Sequence, residues 1–84
     1  MKITELKDTS ALMESPDYKD RFRAEYYQVA IRYEKLKAML DKWDKGELNF
    51  TPTCSRVTYD FQMRAMEDYE AILAERADIE HVEL

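Results

Sequence analysis

Eighty-four residues with one glycine and two prolines leave room for a single small domain, and they favour helices over an all-β fold. The net charge of −5 is uneven: residues 1–59 carry 11 basic and 10 acidic side chains, residues 60–84 carry 2 and 8. So acidic a C-terminal part excludes wrapping around duplex nucleic acid, whose affinity rests on neutralised phosphates.

Residues 1–15 read as an arm with apolar positions Ile3, Leu6, Leu12 and Met13, and "TSALME" has the composition of one helical turn. "SPDY" is a start signal, with Ser15 as N-cap, Pro16 at the first helical position and Asp17 in the positively polarised first turn. Phe22, Tyr26, Val29, Tyr33, Leu36, Leu40 and Trp43 then recur at alternating spacings of 4 and 3, a sustained heptad seam. Gly46 after Lys45 marks the stop. In the turn "GELNFTPT", Leu48 and Phe50 are expected to fold back over the hairpin end, and Pro52 blocks further helix. Thr53 or Ser55 caps a second helix running to about Glu80. Its expected inward positions are Thr58, Gln62, Ala65, Met66, Tyr69, Ile72, Leu73, Arg76 and Ile79, with Asp60, Glu67, Glu70 and Asp78 outward. The tail 81–84 is read as a frayed end.

The expected architecture is therefore all-α: an N-terminal arm (1–15), a long antiparallel helical hairpin (16–80) and a short tail (81–84). On helix one, Ala24, Tyr27, Ile31 and Ala38 form a second stripe opposite the seam. Two coverings are open for it. Leu6, Leu12 or Met13 of the arm would bury it within the chain, or a second subunit would, because a lone hairpin has a thin core. Oligomerisation through helix one is the favoured expectation, with Ala24, Tyr27, Ile31 and Ala38 as the interface.

Catalytic and metal chemistry find little support. One histidine, His81, and one cysteine, Cys54, do not make a zinc set, and a single glycine cannot build a phosphate loop. The pairs Glu67/Asp68 and Asp78/Glu80 lie on a charged outer arc, so no enzyme, metal or cofactor is expected. Cys54 cannot form an internal disulfide, which fits a reducing compartment. No apolar run approaches the ~20 residues of a membrane span, and "MKITELKDTS" lacks the core of a secretory signal. A cytoplasmic protein without membrane association is expected. Binding chemistry is better represented. Tyr18, Lys19, Arg23, Tyr26 and Tyr27 cluster at the start of helix one, where aromatic faces beside cations suit a base and its phosphate. Arg76, expected inward, either pairs with Glu25 or Asp17 across the hairpin or points into an inter-subunit pocket.

"DYKDRFRAEYYQVAIRYEKLKAML", then "FTPTC", then "QMRAMEDYEAILAERADIE" resembles small hairpin proteins of crAss-like and related gut phages, with Gln62, Ala65, Met66, Tyr69, Leu73 and Arg76 as the hallmark. In shape this group is similar to the phage sponges that defeat CBASS and Thoeris immunity. The resemblance implies an oligomer that sequesters a cyclic di- or trinucleotide between subunits without cleaving it, in the cytoplasm of an infected host bacterium. The alternative is an acidic inhibitor or structural adaptor that binds a host protein through the outer face of helix two.

Overall fold

Asp17, rather than Ser15, starts the first long helix. In the computed structural model, which describes residues 2–84, Asp17 has extended backbone and its carboxylate accepts from the Lys19 amide at 2.9 Å. Ser15 supports that cap from outside, its hydroxyl accepting from the Asp17 amide and donating to Asp20 at 2.7 Å. Both residue types cap well, but a carboxylate also meets the positive end of the helix dipole. Pro16 consequently precedes the cap. A 3-10 turn, Leu6–Thr9, leads into α1, Ser10–Met13; α2 spans Tyr18–Asp44 and α3 spans Arg56–Glu80. The described residues contain no strand.

The two helix ends use one device with different residues. Gly46 adopts φ 69°, its amide donates to the Trp43 carbonyl at 3.0 Å and the Glu47 amide to that of Lys42 at 2.9 Å, a Schellman closure of α2. At the end of α3, His81 takes the left-handed position at φ 56°, and Val82 donates to the Ala77 carbonyl at 2.8 Å. The tail is therefore folded rather than frayed, and Val82 is buried in the core. Left-handed backbone suits glycine and strains histidine. Gly46→Ala should thus lose about 1 kcal/mol through backbone strain alone, since nothing lies within 4 Å of an added Cβ. His81→Gly should gain about 0.5–1 kcal/mol. Urea titration of the two variants should show midpoints moving in opposite directions.

Between the long helices, Phe22, Val29, Leu73, Ala77 and Val82 form the core, with Tyr26 and Met66 packed against it. The α2 seam is placed as its spacing predicts: Phe22, Val29 and Leu40 are buried, and Tyr26, Tyr33, Leu36 and Trp43 are partly covered. The face of α3 is not. Its covered positions are Arg56, Tyr59, Met63, Met66, Glu70, Leu73, Ala77 and Glu80, whereas Thr58, Gln62, Ala65, Tyr69, Ile72, Arg76 and Ile79 are exposed. Of the nine expected inward residues only Met66 and Leu73 are covered, while Tyr69 and Arg76 reach α2 from an exposed edge. The cause is a second apolar stripe on α3, which the sequence spacing alone does not separate from the first.

At the turn, Ser55 caps α3 by accepting from the Thr58 amide. Trp43 and Tyr59 meet edge to face with ring centres 6.1 Å apart, and the Arg56 guanidinium lies over the Trp43 ring while pairing with Asp44 and Asp60. Leu48 is half-buried beside this end, but Phe50 remains exposed. The arm docks on the back of α2. Its Thr9 is fully buried, donating to the Leu6 carbonyl at 2.7 Å and accepting from the Gln28 side-chain amide at 2.9 Å.

Candidate functional site

The cations expected to hold a ligand are engaged elsewhere. The Lys19 ammonium donates to the His81 carbonyl at 3.1 Å, and Arg23 Nε donates to the Glu83 carbonyl at 2.6 Å while its guanidinium pairs with Asp20 at 2.9 Å. The end of a helix carries negative partial charge, so two cations there fix the α3 terminus and the tail onto α2. Tyr26 and Tyr27 meet edge to face at 5.5 Å. Burial, then the Glu70 carboxylate, pushes the Tyr26 hydroxyl above its ordinary pKa.

Tyr18 and Arg76 lie apart from that group. Tyr18 and Arg23 differ by about 140° around α2 at 100° per residue. The Arg76 guanidinium sits 4.8 Å from the Phe22 ring centre and pairs with Glu80 at 2.9 Å. It is exposed, not inward, and pairs with neither Glu25 nor Asp17. Glu25 instead accepts a hydrogen bond from the Tyr69 hydroxyl. Of the six expected ligand residues, Lys19 and Arg23 thus hold the tail, Tyr26 packs against the core, Tyr27 lies on the arm side of α2, and Tyr18 and Arg76 are exposed.

The four expected interface residues also divide. Ala24 is 1% exposed outside the hairpin core, on the same face as Gln28, so its own chain covers it. Tyr27 and Ile31 are half-buried and, with Ile3, Ala30, Lys35 and Ala38, line a groove of about 380 Å³. The arm therefore takes up much of the second stripe of α2.

Sequence reasoning missed a larger uncovered surface. Val57 (60% exposed), Phe61 (72%), Ile72 (55%) and Ile79 (67%) line one side of α3, with Ala65 between them and Tyr69 (42%) at the edge. Single exposed apolar residues are ordinary, but a contiguous patch marks an interaction surface. The signal was present in the sequence as Val57, Phe61 and Ala65 at four-residue steps, then Ile72 and Ile79 seven apart.

The Sequestin family model matches residues 16–79. This chain belongs to the Sequestin family. No curated protein and no solved structure matches it. The family name fits a protein that acts by sequestering. The span shared with Sequestin contains α2, the turn and all but the last residue of α3, hence the α3 stripe with Tyr69 and Arg76 at its edge, while the arm precedes it. No helix among the described residues is long and apolar enough to cross a membrane.

The opposite edge of the Sequestin hairpin is acidic. Tyr33 donates to Glu67 at 2.7 Å, and this bond pushes the Tyr33 hydroxyl up to about 12. Glu70 is partly buried beside Tyr26 and Tyr33. Burial, followed by the Glu34 and Glu67 carboxylates, raises its pKa above 4.5. The folded state thus holds that proton more tightly than the unfolded chain, so this residue's contribution improves as pH falls through the raised value and is complete below 4.5. Asp8 and Asp44 are shifted the other way by their hydrogen bonds and favour the fold above the ordinary aspartate range. Glu70→Gln should therefore stabilise at pH 7 and lose that advantage near pH 4. Paired melts of both proteins over this range isolate the effect; a constant difference would contradict it.

Proposed function

We propose that this protein is a phage-encoded homo-oligomer that sequesters a cyclic nucleotide immune signal without cleaving it. The observation that carries this reading is the uncovered α3 stripe: the chain covers Ala24 on the back of α2 with its own fold yet leaves Phe61 and Ile79 about two-thirds exposed. A second subunit supplies the missing cover. Membership of the Sequestin family supports retention of a ligand as the mode of action. Tyr69 and Arg76 border the stripe and offer an aromatic face and a cation, the chemistry a base and phosphate require.

Native mass spectrometry with a panel of cyclic di- and trinucleotides tests this directly. The expected spectrum shows an oligomer carrying ligand that is released intact on denaturation. A monomer without adduct would reject the proposal. Salt-sensitive capture of a basic host protein, with no nucleotide uptake, would favour the adaptor alternative, which the exposed Asp68, Glu75 and Asp78 of α3 suit.

A further inference from the structure

We infer that the N-terminal arm is a built-in blocker of self-association: it occupies the back of α2, so that copies of this chain cannot meet there and assembly is confined to α3. The homo-oligomer reading supplies the α3 contact; what the arm does to α2 is independent of any ligand.

The two long helices set up the problem that the arm solves. Tyr27, Ile31 and Ala38 lie on the reverse of the α2 seam, and Val57, Phe61 and Ile72 lie on the reverse of the α3 face that meets it. A bare hairpin therefore carries an apolar face on each of two opposite sides. One self-complementary face closes a dimer, but two such faces on opposite sides link dimer to dimer without end. Ala24, Ala30 and Ala38 on α2 also offer small side chains, which let a second helix come close.

The arm fits this face in a fixed register. It runs antiparallel to α2, from Met13 beside Gln28 to Ile3 beside Ala38. The Gln28 side-chain amide grips it twice, donating to the Thr9 hydroxyl at 2.9 Å and to the Met13 sulfur at 3.0 Å. Thr9 is fully buried, and Ala24 on the same face of α2 is 1% exposed. The arm keeps its own shape through Asp8, whose carboxylate accepts from the Thr4 and Glu5 amides at 3.0 and 2.9 Å. Its exit toward α2 is aimed by the Ser15 carbonyl, which accepts from the Arg21 guanidinium at 2.7 Å.

Magnitudes decide between the arm and a second copy. From Ala24 to Ala38 the stripe is about 21 Å long and roughly 10 Å wide, so two bare stripes would bury on the order of 400 Å². Stable specific interfaces bury about 1,200–2,000 Å². A segment tethered by a short link acts at an effective concentration of about millimolar. At micromolar protein the arm therefore holds the face against another copy. Once the arm is displaced, the face associates weakly, and chiefly by joining copies already paired through α3. The span shared with Sequestin, residues 16–79, includes the blocked face but not its blocker.

Light scattering on the full chain, from micromolar to millimolar concentration, tests this. Leu6→Asp with Thr9→Asp sets carboxylates under the arm, where Leu6 is half-buried and Thr9 fully buried. The arm should leave α2, while the hairpin core, which contains no arm residue, keeps its helical circular dichroism. Hydrogen exchange should find the amides of residues 6–13 unprotected. The average mass of this variant should exceed that of wild type by about twofold or more at the highest concentration. Adding Tyr27→Glu and Ile31→Glu should return it to the wild-type value, and so should a synthetic peptide of residues 2–15 at about millimolar concentration. Arm amides that stay protected would refute the placement of Thr9. An unprotected arm with wild-type mass throughout would overturn the blocking role. Growth that survives Tyr27→Glu/Ile31→Glu, or that the peptide leaves unchanged, would be aggregation and not use of the vacated face. The oligomer reading fails separately, by a wild-type monomer. Arm release should then yield a dimer and nothing larger, and a released chain that stays monomeric would defeat the blocker as well.

Discussion

Leu73→Ala should lower the unfolding free energy by about 2–5 kcal/mol, the range for deleting a buried leucine in a packed core. Leu73 is 1% exposed and belongs to the one cluster that joins α2, α3 and the tail, with Phe22, Val29, Ala77 and Val82. A hairpin has few layers, so its neighbours cannot close the space without drawing the helices together. Small domains carry about 0.05–0.15 kcal/mol of stability per residue, so the loss takes a large share of the total. The measurement is urea unfolding followed by circular dichroism, with Ile72→Ala as control. Ile72 is the adjacent residue but is 55% exposed on the outer stripe. In the monomer it should cost well under half as much. If Ile72→Ala proved the more damaging change at low protein concentration, the assignment of the α3 faces would be reversed.

That assignment is where the sequence was least legible. The α2 seam could be read because its apolar residues keep one heptad phase from Phe22 to Trp43, with Gly46 marking its end, although the cap is Asp17 and not Ser15. On α3 two apolar rows compete: Tyr59, Met63, Met66, Leu73 and Ala77 face α2, while Val57, Phe61, Ala65, Ile72 and Ile79 do not. The inner row contains Glu70, which lowers its apparent hydrophobicity, and the outer row contains the larger β-branched residues. Periodicity reports that a face is apolar; it does not say which of two apolar faces meets the neighbouring helix. The same limit applied at the start of α2. Lys19 and Arg23 were recognisable as cations near aromatics, but their carbonyl partners depend on a left-handed residue at His81, where no glycine signals the turn. Tyr69, not singled out for a site, proves to occupy the edge between Glu25 and the outer stripe.

Deleting residues 82–84 should cost about 2–3 kcal/mol, close to burial of a full valine side chain plus loss of the Schellman bond. Val82 is 6% exposed and part of the core cluster, and its amide closes the last turn of α3 on the Ala77 carbonyl. At ~4–8 °C per kcal/mol for a domain of this size, the melting temperature should fall by roughly 10–20 °C. Val82→Asp should reproduce most of the loss while keeping the Glu83 carbonyl that Arg23 contacts. Arg23→Ala should cost less, because its two partners are a half-buried aspartate still open to solvent and an exposed carbonyl. The three variants thus rank the apolar and polar parts of the tail contact. They also separate two uses of the α2 cations. If Lys19 and Arg23 serve only the tail, Arg23→Ala leaves nucleotide uptake unchanged. If they meet a ligand phosphate, the truncation frees Arg23 from the Glu83 carbonyl and uptake rises in the truncated protein but falls in Arg23→Ala. Isothermal titration of the folded variants distinguishes the two outcomes, and the geometry at hand, with both cations bonded to tail carbonyls, predicts the first.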